Sequence, residues 1–237
     1  MIRSIDVAVL PVEAGYTGGD CFVVIDVLRA TTVIAVLFER GLRELTAMDN
    51  LEAARVRAAT TGALLLGEVD GLAPPGFDAG NSPVEAGRLA VAGRDAVHFT
   101  TNGTRALVGV GALGPVVVGG AANSAAVCAS VAERYERVVI VAAGNGAGMR
   151  FSLEDFAAAG IFVRLLREAA PGAEAGDAAV LAGSLAPSLI GESRHAGLLR
   201  GLGLGADIDF AMREGTSTAV PVVSAIGPGW ATIRRVG

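Results

Sequence analysis

Asp26 ends the apolar run Phe22-Val-Val-Ile25, and Arg29, Thr31 and Thr32 follow it at once. Four apolar residues closing on an isolated carboxylate mark a buried strand, and the arginine and hydroxyls then fall where the chain turns into the next helix. Open α/β sheets bind ligands at that position. A carboxylate there can hold a hard cation, take a proton or attack an electrophile, while arginine and hydroxyls can meet an anion. Similar groups close three other apolar runs: Glu68 after Leu64-Leu-Leu-Gly67, the segment Thr100-Thr101-Asn102-Gly103-Thr104-Arg105, and Gly144-Asn145-Gly146. If these strands are parallel, all four exits lie along one edge and share a crevice. The loop Gly76-Phe-Asp78-Ala-Gly-Asn81-Ser82-Pro83 adds a fifth polar cluster, with glycines that let the backbone approach a ligand.

Each residue also has a plainer reading. Asp26 can cap the following helix, Glu68 can be a surface residue, and Thr101-Asn-Gly-Thr can be a turn. Glu154 and Asp155 fall in a helix's first turn, where acidic groups are favoured anyway. Their joint occurrence on one edge is what favours a site. Oxygen donors at Asp26, Glu68, Asp78 and Glu154 or Asp155 suit Mg2+ better than zinc, and Mg2+ needs only one or two of them. His98 sits within a strand as a core histidine or a support behind a ligand residue, whereas His195 has more surface character.

The elements needed to hold these groups can be read from the pattern. Apolar runs at 5–10, 22–26, 63–68, 96–100, 116–118, 138–142 and 220–224 alternate with helical stretches at 32–39, 50–60, 82–92, 123–133 and 153–168, then 177–185 and 193–199. That alternation predicts an α/β fold with a mostly parallel or mixed central sheet covered on both faces. Ser82-Pro-Val-Glu85 and Ser152-Leu-Glu-Asp155 are helix starts with a capping serine. No long polar linker divides the 237 residues, which predicts one domain over 1–237 or two closely packed α/β lobes.

Composition narrows the function. The chain is 52% hydrophobic, enough for a large core, and no apolar run reaches the ~18 residues that span a bilayer. The start has no signal-peptide pattern, so a cytoplasmic enzyme is expected. A net charge of -5 argues against nucleic-acid binding and leaves anions to local arginines. Cys21 and Cys128 form no disulfide framework, and the C-x5-R spacing of Cys128 and Arg134 lies in a helical stretch without the glycine loop that thiol phosphatases need. Ala- and Val-rich helix faces are compatible with a homodimer.

In order along the chain stand VIDVLRATT (24–32), GE (67–68), GFDAGNSP (76–83), TTNGT (100–104), RFSLED (150–155), SRHAGLL (193–199) and VPVV (220–223). Over essentially its full length the chain resembles the 2-phosphosulfolactate phosphatase family, the ComB-type enzymes. The resemblance implies a three-layer α/β/α fold and Mg2+-dependent hydrolysis of 2-phospho-3-sulfolactate to 3-sulfolactate, a step that belongs to coenzyme M biosynthesis in methanogens. Related bacterial proteins can use sulfolactate otherwise or act on another small phosphorylated acid. A non-catalytic small-anion binder is the alternative from a different class. Two stretches depart from the family pattern: Val69-Asp70-Gly71 replaces an arginine and glycines after Glu68, and Gly144 to Met149 is longer than usual.

On this reading Asp26, Glu68 and Asp78 form the metal and acid-base set, Glu154 or Asp155 can join the metal, and Arg29 is catalytic at the phosphate. Asn102, Thr104 and Arg105 surround the phosphate with Thr31, Thr32, Asn81, Ser82, Thr101 and Gly103. Arg150 or His195 takes the sulfonate or carboxylate. Asp26 either activates water or forms an aspartyl phosphate. Leu28 stands where haloacid-dehalogenase-type enzymes carry their general-acid aspartate, which favours water.

Overall fold

A computed structural model describes residues 1–236. Ten strands form one sheet: β1 (Ser4–Ala8), β2 (Cys21–Ile25), β3 (Glu44–Met48), β4 (Leu64–Gly67), β5 (Asp95–Phe99), β6 (Val116–Gly119), β7 (Arg137–Ala142), β8 (Glu174–Ala175), β9 (Pro221–Gly227) and β10 (Trp230–Arg235). The longer helices are α1 (Ala30–Glu39), α2 (Leu51–Thr61), α3 (Gly103–Gly111), α4 (Ser124–Arg134), α5 (Leu153–Ala169), α6 (Asp177–Ser184), α7 (Arg194–Gly201) and α8 (Gly205–Ala211).

The layers follow from the period-two alternation of β2. Its odd residues Val23 and Ile25 pack into a core with Val127 of α4 and Phe162 of α5. Phe22 and Val24 face the other way, toward Ile34 of α1 and Leu107 of α3. Strand residues point alternately to the two faces, so each face acquires its own core and the fold is three-layered α/β/α. Every residue of α1 from Ala30 to Phe38 is buried, as expected of a helix that is apolar all round. This leaves α1 rigid where its first residues meet Asp26.

The strand order is β4-β5-β3-β10-β9-β6-β2-β7-β1-β8. β4, β5 and β3 are mutually parallel, as are β6, β2, β7, β1 and β8. Three successive antiparallel pairings, β3 with β10, β10 with β9 and β9 with β6, join the two groups. Three reversals leave the groups running in opposite directions. The expectation of four exits on one edge is therefore corrected: Asp26 and Gly144 leave one group, Glu68 and Thr100 the other. The exits still meet, because twist at ~20° per step accumulates to roughly 100° over the five steps from β5 to β2. Opposed strands become strands that cross, and α3 packs from β3 over to β2.

Several elements differ from the sequence expectation. β3 and β10 had no predicted counterpart, nor did α3 and α8; the helix expected over 82–92 is a single turn, Pro83–Ala86. Ser82 and Ser152 do cap their helices, accepting from the N–H groups of Glu85 and Asp155. No helix among the described residues is long and apolar enough to cross a membrane. Cys128 is buried within α4 and its thiol is pushed up to about 12 by burial, which excludes thiolate chemistry at its C-x5-R spacing.

Candidate active site

Asp26 occupies the turn between β2 and α1. The Ala30 N–H, at the start of α1, donates to its Oδ1 at 3.2 Å. The Thr31 hydroxyl donates to the Asp26 carbonyl at 2.9 Å, and the Thr32 hydroxyl to that of Val27 at 2.8 Å. Both hydroxyls are thus spent on holding the strand-to-helix turn. Oδ2 of Asp26 remains uncommitted and lies against Gly103, the first residue of α3.

Gly103 makes that approach possible. A Cβ at this position would stand 2.5 Å from Cβ of Ala30 and 2.6 Å from Oδ2 of Asp26. We expect Gly103→Ala to displace Asp26, lower kcat/KM by roughly 10²-fold and cost about 1–3 kcal/mol of stability. Steady-state kinetics and urea unfolding check this; wild-type turnover in the variant would contradict it.

Glu68 bridges the opposite group of strands. Its Oε1 accepts from the Thr101 N–H and its Oε2 from the Gly71 N–H, both at 2.8 Å. Asp155 plays the same part across β2 and β7, accepting from Val27 N–H at 2.9 Å and from Gly144 N–H at 3.2 Å. Beside it, Glu154 Oε1 accepts from the Asn145 amide at 3.3 Å and its other oxygen stays free. All four carboxylates are buried. Burial above all pushes Asp26 up to about 6, with Glu68 and Glu154 adding to the rise while His195 opposes it. Asp155 is raised well above the usual carboxylate range by burial, then by Asp26 and Glu154.

Asp26, Arg29, Glu68, Asn81, Thr101, Asn102, Arg150 and His195 line one cleft of about 770 Å³, joined by Asp70, Leu28, Leu198, Leu199 and Leu202. A second hollow of about 600 Å³ shares Arg150, His195 and Leu198 with it and adds Glu154, Asn145, Phe151 and Arg194. The two form an acidic inner chamber with a cationic outer mouth. His195, at the start of α7, donates from Nε2 to the Leu28 carbonyl at 3.0 Å, leaving Nδ1 free. Asn102 accepts from the Ala147 N–H at 2.8 Å and so ties the Gly144–Met149 loop to the cleft.

Other expected residues lie elsewhere. Asp78 is exposed and accepts from the Leu65 N–H at 2.7 Å, at the start of β4. Glu68 stands at the far end of that strand, so Asp78 is three residues too early to join the carboxylates. Arg105 is exposed and donates to the Asp49 carbonyl at 3.2 Å, away from the cleft. Thr104 exchanges hydrogen bonds with Thr100. Ser82 donates to Asp207 rather than lining the cleft.

Sequence reasoning missed Asp207 in α8, which is 2% exposed. Arg29 donates to it from Nη1 at 2.8 Å and to the Gly71 carbonyl from Nη2 at 2.6 Å. Arg29 therefore spends two donors on scaffold and presents the remainder to the cleft. Nothing in the local sequence around Asp207 marks it, since its partners lie 178 and 125 residues away.

A three-layer α/β/α fold with buried carboxylates behind a mouth of arginines defines a protein with a cleft for a small anion. The family described as 2-phosphosulpholactate phosphatase matches residues 10–225, and the chain belongs to that family. A Deinococcus radiodurans protein named "Probable 2-phosphosulfolactate phosphatase" is 39% identical over 213 residues, covering 86% of this chain and 88% of its own. Its namesakes in Carboxydothermus hydrogenoformans and Thermus thermophilus are 33% identical over 223 residues (92% of this chain and 92% of its own) and 36% over 211 (86% and 88%).

Proposed function

We propose that the cleft hydrolyses 2-phospho-3-sulfolactate to 3-sulfolactate and phosphate with Mg2+ as its metal. The observation that carries the reading is the pairing of four buried carboxylates with a mouth formed by Arg150, Arg194 and His195. Carboxylates confined together are costly without a countercharge, and the nearby Arg29 is already paired with Asp207. Among the described residues no three His, Cys, Asp or Glu side chains converge as a ready-made metal cage. The uncommitted oxygen of Glu154 would supply a ligand, within the one or two that protein carboxylates commonly give Mg2+, and Oδ2 of Asp26 is left to take a proton.

When bound, Mg2+ would supply positive charge against the negative charge that builds on the phosphoryl oxygens during transfer. The protein does the rest. The N-termini of α1 and α3 direct their positive ends at the phosphate beside Asp26. Asp26 takes the proton of the attacking water, a role suited to a carboxyl held near pH 6. When doubly protonated, His195 gives the leaving oxygen a proton from Nδ1 while its Nε2–H stays on the Leu28 carbonyl. Arg150 and Arg194 receive the sulfonate at the mouth, where planar guanidinium groups suit oxyanions.

Phosphate release from phosphosulfolactate, phospholactate and an aryl phosphate, each with Mg2+ or with EDTA, tests this. We expect phosphosulfolactate to be preferred and EDTA to lower turnover at least 10²-fold. Equal rates on all three esters would refute the sulfonate assignment. Metal-independent release would remove Mg2+ from the mechanism, and no release from any ester would leave an anion-binding protein.

A further inference from the structure

We infer that His98 is a positioning residue for this cleft: it orients the Asn81 carboxamide so that the amide nitrogen donates to an anionic oxygen of the substrate. The inference rests on the cleft being the phosphatase site. His98 lies within β5 with no exposed surface, and Asn81, 4% exposed, lies between it and the cleft. Nε2 of His98 and Oδ1 of Asn81 are 3.0 Å apart. The other ring nitrogen, Nδ1, is buried with no hydrogen-bond partner.

A neutral imidazole carries one N–H, and here only two placements exist. A proton on Nδ1 would bury an orphaned donor, which folded proteins rarely tolerate. A proton on Nε2 leaves only a bare acceptor at Nδ1 and gives Asn81 Oδ1 a donor. The ring stays neutral at pH 7 because burial lowers its protonation to about 4.

With Oδ1 occupied from behind, the Asn81 amide nitrogen has one direction left. It makes no hydrogen bond within the protein, yet it is not among the buried unpartnered atoms, so it opens on the cleft. The lining of that cleft includes the acceptors Asp26, Glu68 and Asp70 beside the charged donors Arg29 and Arg150. A fixed neutral donor among them gives an anionic substrate oxygen a partner without adding a charge.

The chain has only two histidines, so long-range 1H–15N correlation of ring-labelled protein can read the tautomer, with His98→Gln assigning the signals. An Nε2–H pattern for His98 is expected; Nδ1–H would overturn the inference whatever the enzyme's activity. In kinetics, His98→Leu should lower kcat/KM about 10-fold, the effect of one hydrogen bond to a charged group, and His98→Gln should restore most of it. In an Asn81→Ala background, His98→Leu should cost nothing further. Losses that simply multiply would overturn the inference, as would a uniform fall in stability that accounts for both. Failure of the wild-type protein on every ester would instead refute the phosphatase reading and leave the tautomer result standing.

Discussion

Asp26→Asn should abolish most turnover, by roughly 10³-fold, while making the metal-free protein more stable at neutral pH. The amide preserves the shape of the side chain and still accepts the hydrogen bond from Ala30 N–H; what it loses is charge. Aspartate in an unfolded chain titrates near 3.9, whereas Asp26 in the fold is raised to about 6, chiefly by burial. The folded state therefore binds this proton more tightly than the unfolded state. Stability is greatest below pH 4, falls as pH rises from 4 to 6, and carries the full penalty above 6. Two pH units correspond to about 3 kcal/mol.

The asparagine variant escapes that penalty. In EDTA it should therefore exceed wild type by about that amount at pH 8, and the difference should vanish near pH 4. His98 works in the opposite sense: its lowered value gives stability that is present above 6.5 and lost toward 4. It is common to both proteins and cancels in the comparison. Urea unfolding at the two pH values, beside phosphate release, decides the matter. A variant that is less stable at pH 8, or one that retains turnover, would remove Asp26 from the centre of the site. Mg2+ should narrow the gap, because it stabilises the wild-type carboxylate more than the amide.

The parts of the fold that the sequence displayed are those in which local pattern and burial agree. β2 is apolar throughout because helices cover both of its faces, and α5 shows its cap, its acidic first turn and its apolar stripe. β3 and β10 were hidden because their ends carry charge. Glu44 and Arg234 pair at 2.7 Å and Arg43 and Asp95 at 2.6 Å, so residues that resemble loop are satisfied between neighbouring strands. α3 was hidden by its glycines, at about 1 kcal/mol each against helix, although Gly103 is required by its contact with Asp26. The reversal of one half of the sheet depends on pairings made by the last strands of the chain. No local pattern in β4 or β5 could reveal it.

The site divides in the same way. Asp26, Glu68 and Asn102 were legible as polar groups following apolar runs, and His195 by its surface character and its place in SRHAGLL. Asp78 was read as an oxygen donor of the glycine-flanked loop, and the local sequence does not show which way that loop runs. The bridge between Leu66 and Ala79 shows the loop returning alongside β4, so that Asp78 sits at its start and Asn81 beyond its end. Arg29 was read as a phosphate ligand from its type and place. Its principal partner, Asp207, could be found only once α8 had been folded over the cleft.

That pairing carries the second large effect. Arg29 and Asp207 are each 3% exposed at the side chain and 2.8 Å apart. Removing one partner from a buried ion pair leaves the other uncompensated, at a cost of about 3–5 kcal/mol. Arg29→Ala should lower the melting midpoint by roughly 10 °C for a domain of this size. Asp207→Ala should do nearly as much. Arg29→Met combined with Asp207→Leu should recover most of the loss, because apolar groups of similar volume can replace a buried pair at little net cost.

Activity should not recover with stability. Arg29 also holds the Gly71 carbonyl, while the Gly71 N–H holds Glu68, so the double variant frees the loop that fixes one of the four carboxylates. A misplacement of about 1 Å at a reacting centre is worth roughly 10² in rate, and the repacked protein should stay that far below wild type. Calorimetry of the four proteins in the cycle gives the coupling between the two residues, and phosphate release separates scaffold from chemistry. Additive stabilities would show that the pair is not coupled. A double variant that regained both stability and turnover would show that Arg29 serves the fold alone.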